Sequence, residues 1–184
     1  MGSTEEAKII LYTNHGCPWA HRAQIALAEL NIPFETVIID LSVPRTAEYL
    51  AINPRGLVPT LSYNGELITE SAVVVGFLTD AHPSHLVKTS SEPGGALQRA
   101  RYAWAVATYF DKIQPKFFGV LRGASEEDRV KAAEEIVDVI AKEFEPLLKD
   151  AAPFFGGSKK LTLVEVCFIL PLPPPPRFHH GNLC

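Results

Sequence analysis

Cysteine is scarce in this chain, with three in 184 residues, at positions 17, 167 and 184. That number and spacing exclude a disulfide framework and match no metal-ligand pattern, so no metal is expected. Positive charge is scarce too. The formal net charge is −4 and no basic block precedes the C-terminal tail, which argues against a nucleic-acid partner. No apolar run approaches the length of a membrane span, so no membrane association is expected. The opening Met1-Gly2-Ser3-Thr4-Glu5-Glu6 is polar and acidic, unlike a secretory leader. These absences together predict a cytoplasmic protein in a reducing compartment.

What remains is an ordinary globular balance, 47% hydrophobic and 21% charged. Within it Cys17 stands out. Lys8 to Tyr12 reads as a short buried strand, and Ala23, Ala26, Leu27 and Leu30 follow helical spacing. Cys17 falls between the two, followed by Pro18, which suits the first helical position because the N–H it lacks has no intrahelical partner there. A thiol at the mouth of a strand-to-helix turn meets unpaired backbone N–H groups and the positive end of the helix dipole, and both favour the thiolate. An isolated cysteine inside a helix reads as a small buried hydrophobe, but a Gly-Cys-Pro turn does not. Ala20 stands where a dithiol motif carries its second cysteine, so this is a monothiol site. Any disulfide formed on Cys17 must be resolved by an outside thiol, which implies a small thiol cosubstrate.

Alternating elements run from 8 to 83. After the helix over 18–30, broken at Ile32-Pro33, come a strand at Phe34–Ile39 and a short helix from Thr46 to Ala51. Strands at Thr60–Tyr63 and Glu66–Thr69 follow, joined by Asn64-Gly65, a dipeptide suited to a type I′ hairpin turn. Ser71 then opens a helix. The order βαβ, α, ββ, α predicts a thioredoxin-like domain with the first strand central and parallel to the second.

A linker is expected over 84–94, and the pattern beyond it is helical. Ala96 to Leu121 is apolar on most faces, so Tyr102, Trp104, Tyr109, Phe110, Phe117 and Phe118 are expected in a core, with a kink or end at Pro115. Ser125 with Asp128 forms an N-cap signature, and Val130, Ala133, Val137, Ile140, Phe144 and Leu147 keep a 3–4 spacing. Thr162-Leu163-Val164-Glu165 is a capping box. The helix it announces runs almost at once into Pro171-Leu172-Pro173-Pro174-Pro175-Pro176, where helix cannot propagate. Such a conflict between neighbouring signals predicts a truncated or aberrant C-terminus, from a reading-frame slip or a retained intron. The competing reading is a polyproline ligand. Truncation would leave Val130, Val137 and Phe144 partly wet. Cys167, Cys184, His179 and His180 are read as accidental company rather than a metal cluster.

Four stretches now carry a resemblance. Cys17-Pro18-Trp19-Ala20-His21-Arg22, Asn53-Pro54-Arg55-Gly56-Leu57-Val58-Pro59-Thr60-Leu61, Thr69-Glu70-Ser71-Ala72 and the helical region with Thr162 to Glu165 occur in the order found in the cytosolic glutathione transferases. The chain resembles that family from about Lys8 to Val166, and within it the cysteine-bearing, omega-like branch. The resemblance implies an α/β thioredoxin-like N-terminal domain followed by an all-α helical domain. The segments are then 1–7 as a flexible N-terminus, 8–83 as the glutathione-binding domain, 84–94 as linker, 95–166 as an incomplete helical domain and 167–184 as an atypical Pro-rich tail.

The resemblance also implies a catalytic Cys17 and glutathione as cosubstrate, with no covalently bound cofactor. Trp19, Arg45, Val58, Pro59, Glu70 and Ser71 match glutathione-binding positions. Val58-Pro59 is expected to be cis, with the Val58 backbone pairing with the cysteinyl part of glutathione like an added strand. Ser71 and the helix start would hold the γ-glutamyl carboxylate, Glu70 its ammonium and Arg45 the glycine carboxylate. His21 is assigned no role. A small electrophile or disulfide is the second substrate, a homodimer is the expected assembly, and thiol transfer or dehydroascorbate reduction is the expected activity, with conjugation weak. The rival reading is a non-catalytic binding or regulatory domain of the same fold.

Overall fold

The structure, a computed structural model, describes residues 7–168, without the side chains of Phe118, Leu121 and Arg122. The expectations for the N-terminal residues 1–6 and for the tail from Ile169, including the polyproline run, His179, His180 and Cys184, lie outside the described residues. The chain forms two compact units, the first reaching Val74 and the second running from Val75 to Phe168.

The first unit is built on a sheet of order β2-β1-β3-β4. Strand β1 (Ile9–Thr13) pairs in parallel with β2 (Glu35–Ile38) and antiparallel with β3 (Thr60–Tyr63), which pairs antiparallel with β4 (Glu66–Thr69). Leu11 and Leu61 are paired across the two central strands and fully buried. Asn64 and Gly65 both take positive φ, 52° and 90°, as the hairpin turn requires. Helix α1 (Pro18–Glu29) connects β1 to β2 and buries Ala20, Ala23, Ala26 and Leu27, and a short α2 (Ala47–Ile52), capped by Thr46, lies between β2 and β3. Helix α1 ends before Pro33 is reached. Asn31 adopts φ 53°, its N–H donates to Ala28 O, and Ile32 N–H donates back to Leu27 O, a left-handed cap just past the helix end expected at residue 30.

Register decides where the loops meet. Tyr12 at the end of β1 faces Thr60 at the start of β3, and Thr60 faces Thr69 at the end of β4. The segments after β1, before β3 and after β4 therefore share one edge of the sheet. Those segments carry Cys17, Val58-Pro59 and Glu70-Ser71.

The second unit is helical: α4 (Gly95–Thr108), α5 (Gln114–Arg122), α6 (Glu126–Val139) and a short α7 (Leu163–Phe168). Helix α3 (Ser71–Ala81) carries the chain from the first unit into it. The kink expected at Pro115 takes the form of a π-helical turn, Tyr109–Ile113. The same device recurs at Ile140–Phe144, ahead of Pro146. In both places the wide turn ends two residues before the proline. Gln114 N–H and Glu145 N–H reach back five residues, to Tyr109 O and Ile140 O, which gives room to a ring that cannot join the ordinary ladder.

Val87, Tyr102, Ala105, Phe155 and Val164 form one core, with Tyr102 and Phe155 edge to face at 5.4 Å. Tyr109, Ile113 and Phe144 form another. Trp104 corrects the expectation of a uniformly buried aromatic set. Residues 102, 105 and 109 share one face of the helix, Trp104 points away from it, and it is 61% exposed. Val130 and Val137 on α6 are exposed, whereas Phe144, in the wide turn that follows, is buried and not wet as truncation was expected to leave it. Ser125 caps that helix reciprocally with Asp128, each accepting from the other's backbone N–H.

Candidate active site

Asn14 shapes the turn that presents Cys17. Its Oδ1 accepts from Gly16 N–H at 2.8 Å, its Nδ2 donates to Ile39 O at 2.8 Å, and its backbone carbonyl accepts from Cys17 N–H at 3.0 Å. Cys17 thus occupies the N-cap of α1 with extended backbone (φ −97°, ψ 112°), and Pro18 begins the helix. No side chain caps α1, so its positive end faces the sulfur without a competing carboxylate or hydroxyl. The residue is 8% exposed and packs with Ala20, Tyr49 and Val58. His21, one turn on, bonds from Nε2 to His15 O at 2.7 Å; since a carbonyl only accepts, that nitrogen carries the hydrogen. His21 therefore braces the turn before Cys17.

The Val58-Pro59 peptide bond is cis. Val58 O lies 3.8 Å from Cys17 Sγ, within reach of a weak thiol hydrogen bond. The loop that delivers this carbonyl is held from beneath. Asn53, buried, donates from Nδ2 to Leu57 O at 3.0 Å and to Thr60 Oγ1 at 2.9 Å, and accepts from Arg55 N–H at 3.0 Å. The Tyr49 hydroxyl donates to the same Leu57 carbonyl at 2.5 Å. Burial pushes the Tyr49 hydroxyl pKa up, against smaller opposing contributions from Thr60 and Asn53, so it stays a neutral donor at physiological pH. Gly56 sits at φ 63°, and a Cβ there would meet Arg45 Cγ at 2.9 Å.

Asn53→Ala removes one donor from a buried carbonyl and the partner of a backbone N–H. A loss of about 2–3 kcal/mol is expected, read as a shift in the chemical denaturation midpoint.

Glu70 adopts φ 67° and precedes Ser71, the first residue of α3. The Glu70 carboxylate pairs with Arg55 at 2.5 Å on an exposed surface. Ser71 Oγ accepts from Arg22 Nη1 at 3.2 Å, and the Arg22 guanidinium lies 4.4 Å over the Trp19 ring. Arg45 is engaged by carbonyls, with Nε on Gly56 O at 3.0 Å and Nη1 on Asp40 O and Val43 O at 2.6 and 2.5 Å. Nearby, the Ser42 hydroxyl and N–H hold the Asp40 carboxyl below its usual pKa.

The structure thus brings Cys17, Trp19 and Val58 together and links Ser71 to Trp19 through Arg22. Glu70 pairs with Arg55, and Arg45 with backbone carbonyls. Sequence reasoning missed Arg22, Asn53 and Tyr49. A signal existed for Arg22, which lies three residues after Trp19 on α1. Among the described residues, no three His, Cys, Asp or Glu side chains are grouped to hold a metal ion, and no helix is long and apolar enough to cross a membrane.

The chain is similar to known proteins. The family model for the glutathione S-transferase N-terminal domain matches residues 16–81. Glutathione S-transferase omega-1 of Rattus norvegicus is 28% identical over 165 residues, 89% of this chain and 66% of the relative. Glutathione S-transferase DHAR2 of Arabidopsis thaliana is 27% identical over 150 residues, 82% of this chain and 62% of the relative. The chain thus spans just under two thirds of the length of these curated relatives. Among solved structures, glutathione transferase Omega 1C from Trametes versicolor has a TM-score of 0.67 and 31% identity, covering 87% of this chain and 67% of that one.

Proposed function

The chain belongs to the cytosolic glutathione transferases, on the omega-like side of that family, and from this premise we propose that it is a glutathione-dependent thiol transferase or reductase whose nucleophile is Cys17. One observation carries the reading: the Cys17 sulfur lies at the N-cap of α1, 3.8 Å from the Val58 carbonyl ahead of the cis proline. A thiol and a backbone edge able to pair with a short extended peptide thereby face the same space.

The sequence of events balances as follows. Cys17 thiolate attacks the glutathionyl sulfur of a mixed disulfide; a Cys17–glutathione bond forms and the substrate thiolate leaves. A second glutathione thiolate attacks the glutathionyl sulfur now bound to Cys17, releasing oxidised glutathione and restoring the Cys17 thiolate. Glutathione is thus cosubstrate, the second substrate is a disulfide, a dehydroascorbate-like oxidant or a small electrophile, and conjugation is the weaker activity. Val58 and Pro59 would receive the cysteinyl segment, Trp19 the side of the thiol, Ser71 and Glu70 the γ-glutamyl end, and Arg45 the glycine carboxylate. The protein is proposed to act in the cytoplasm as a homodimer, which sedimentation velocity checks.

Mass spectrometry after incubation with oxidised glutathione tests the core of this reading. A single glutathionyl adduct on Cys17, removed by excess glutathione, is the expected result. No adduct, with glutathione still bound, would make the chain a binding module. Ser71→Ala is expected to weaken retention on glutathione-agarose about tenfold, the loss of one hydrogen bond to a charged group; unchanged retention would remove Ser71 from the site.

A further inference from the structure

The first unit buries one arginine that the reaction steps leave unused. Arg22 lies on α1 and is fully buried. Its guanidinium covers the Trp19 ring at 4.4 Å, and its Nη1 donates to Ser71 Oγ at 3.2 Å. One rigid cation therefore joins the aromatic beside the thiol to the hydroxyl at the start of α3.

The chemistry of that second contact is directional. A guanidinium has five donors and no acceptor, so Ser71 Oγ must spend a lone pair on Arg22. Its own O–H hydrogen is then turned away from Arg22 and serves an acceptor other than that guanidinium. Arginine also stays charged throughout the working pH range, and a charge held away from water is screened less than one at the surface. A carboxylate reaching Ser71 would find a hydroxyl with its hydrogen presented and a fixed positive charge behind it.

We propose that Arg22 is a positioning residue for carboxylate recognition: it orients the Ser71 hydroxyl as a donor and supplies the buried positive charge that makes this end of the site selective for an α-carboxylate. The inference rests on the reading of Ser71 as the γ-glutamyl contact. It also implies that Arg22 holds the Trp19 ring in place beside Cys17, so that the carboxylate end and the thiol end share one support.

Two non-reacting probes separate the carboxylate from the rest of the tripeptide. S-methylglutathione keeps every binding group. Its analogue with 4-aminobutyryl in place of γ-glutamyl keeps the amine and lacks only the α-carboxylate. In calorimetry, wild type is expected to prefer S-methylglutathione by at least about tenfold. In Arg22→Met that preference falls to about twofold or less, because affinity for S-methylglutathione drops while affinity for the analogue changes little. Arg22→Lys, which keeps the charge but not the planar fork, falls between. Adding Ser71→Ala to Arg22→Met produces little further loss, since the two groups act as one unit.

The preference is a ratio read within each variant, so a general loss of stability leaves it unmoved. If Arg22→Met does not fold, Arg22→Lys and Arg22→Gln supply the same ratio. An unchanged preference in the arginine variants, or independent additive losses at Arg22 and Ser71, overturns the proposal while leaving the enzyme reading intact. A wild type that binds neither probe overturns the glutathione reading itself, and a wild type that binds both equally overturns Ser71 as the carboxylate contact.

Discussion

Cys17→Ser is expected to lower glutathione-dependent reduction of hydroxyethyl disulfide and of dehydroascorbate by at least about a thousandfold. A serine hydroxyl supplies no thiolate and forms no disulfide, so the covalent intermediate is lost rather than slowed. Glutathione affinity should move less than about threefold, because the sulfur offers the loop only its 3.8 Å contact with Val58 O. Conjugation should rise. A serine at the N-cap of α1 donates a hydrogen bond to the thiolate of bound glutathione, which then attacks an electrophile directly instead of being captured as a mixed disulfide. Parallel assays of thiol transfer and conjugation on both proteins check the exchange. A Cys17→Ser protein that keeps its thiol transfer would move the nucleophile elsewhere; Cys167, also buried and outside any disulfide, is the other cysteine among the described residues.

The turn carrying Cys17 was legible because everything that builds it is local. A buried strand, a proline at the first helical position and an apolar 3–4 repeat lie within about two dozen residues, and each constrains the same backbone. The Asn64-Gly65 hairpin and the Ser125 cap were readable for the same reason. Arg22 was not. A charged residue in a helix reads as solvated until the elements around it are placed, and its partners Trp19 and Ser71 come together only when α1 and α3 are positioned by the sheet. Arg45 divides the same way: the resemblance gives it the glycine carboxylate, whereas its bonds to the carbonyls of Asp40 and Val43 in its own loop and of Gly56 in the next follow only once those loops are placed. Asn53 falls between the two cases: its place before Pro54 marked a helix end, but its buried bonds to Leu57 O and Thr60 Oγ1 depend on where β3 begins.

In the helical unit the 3–4 repeat did not mark the buried face even within one segment: Val130 and Val137 stand exposed on α6, and the buried Phe144 lies inside the wide turn that follows. The wide turns before Pro115 and Pro146 each insert a step that rotates every later side chain relative to an ideal helix. The exposure of Trp104 needs no such step, since 102, 105 and 109 already define the inward face before the first wide turn begins.

Glu165→Ala is the substitution expected to harm the fold most among exposed or half-buried positions. The carboxylate gathers three donors: Phe155 N–H at 2.8 Å on one oxygen, and Thr162 N–H and Oγ1–H at 2.9 and 2.6 Å on the other. Thr162 Oγ1 in turn accepts from Val164 N–H at 3.2 Å, and the threonine is fully buried. One side chain thus closes the cap of α7 and anchors the loop that delivers Phe155 to Tyr102 in the core. Removing it strands two backbone donors and frees that loop. With about 1.5–3 kcal/mol for a hydrogen bond to a charged group and about 1 kcal/mol for a cap, the expected loss is about 3–5 kcal/mol. That corresponds to a fall in melting temperature of roughly 10–20 °C. Glu165→Gln keeps the acceptor oxygen facing Phe155 or Thr162 but not both, and should lose about half as much. Thermal unfolding followed by circular dichroism reads the series. A shift below about 2 °C for Glu165→Ala would mean that α7 is held by its buried Val164, Val166 and Cys167 alone, and that the cap follows from the packing instead of securing it.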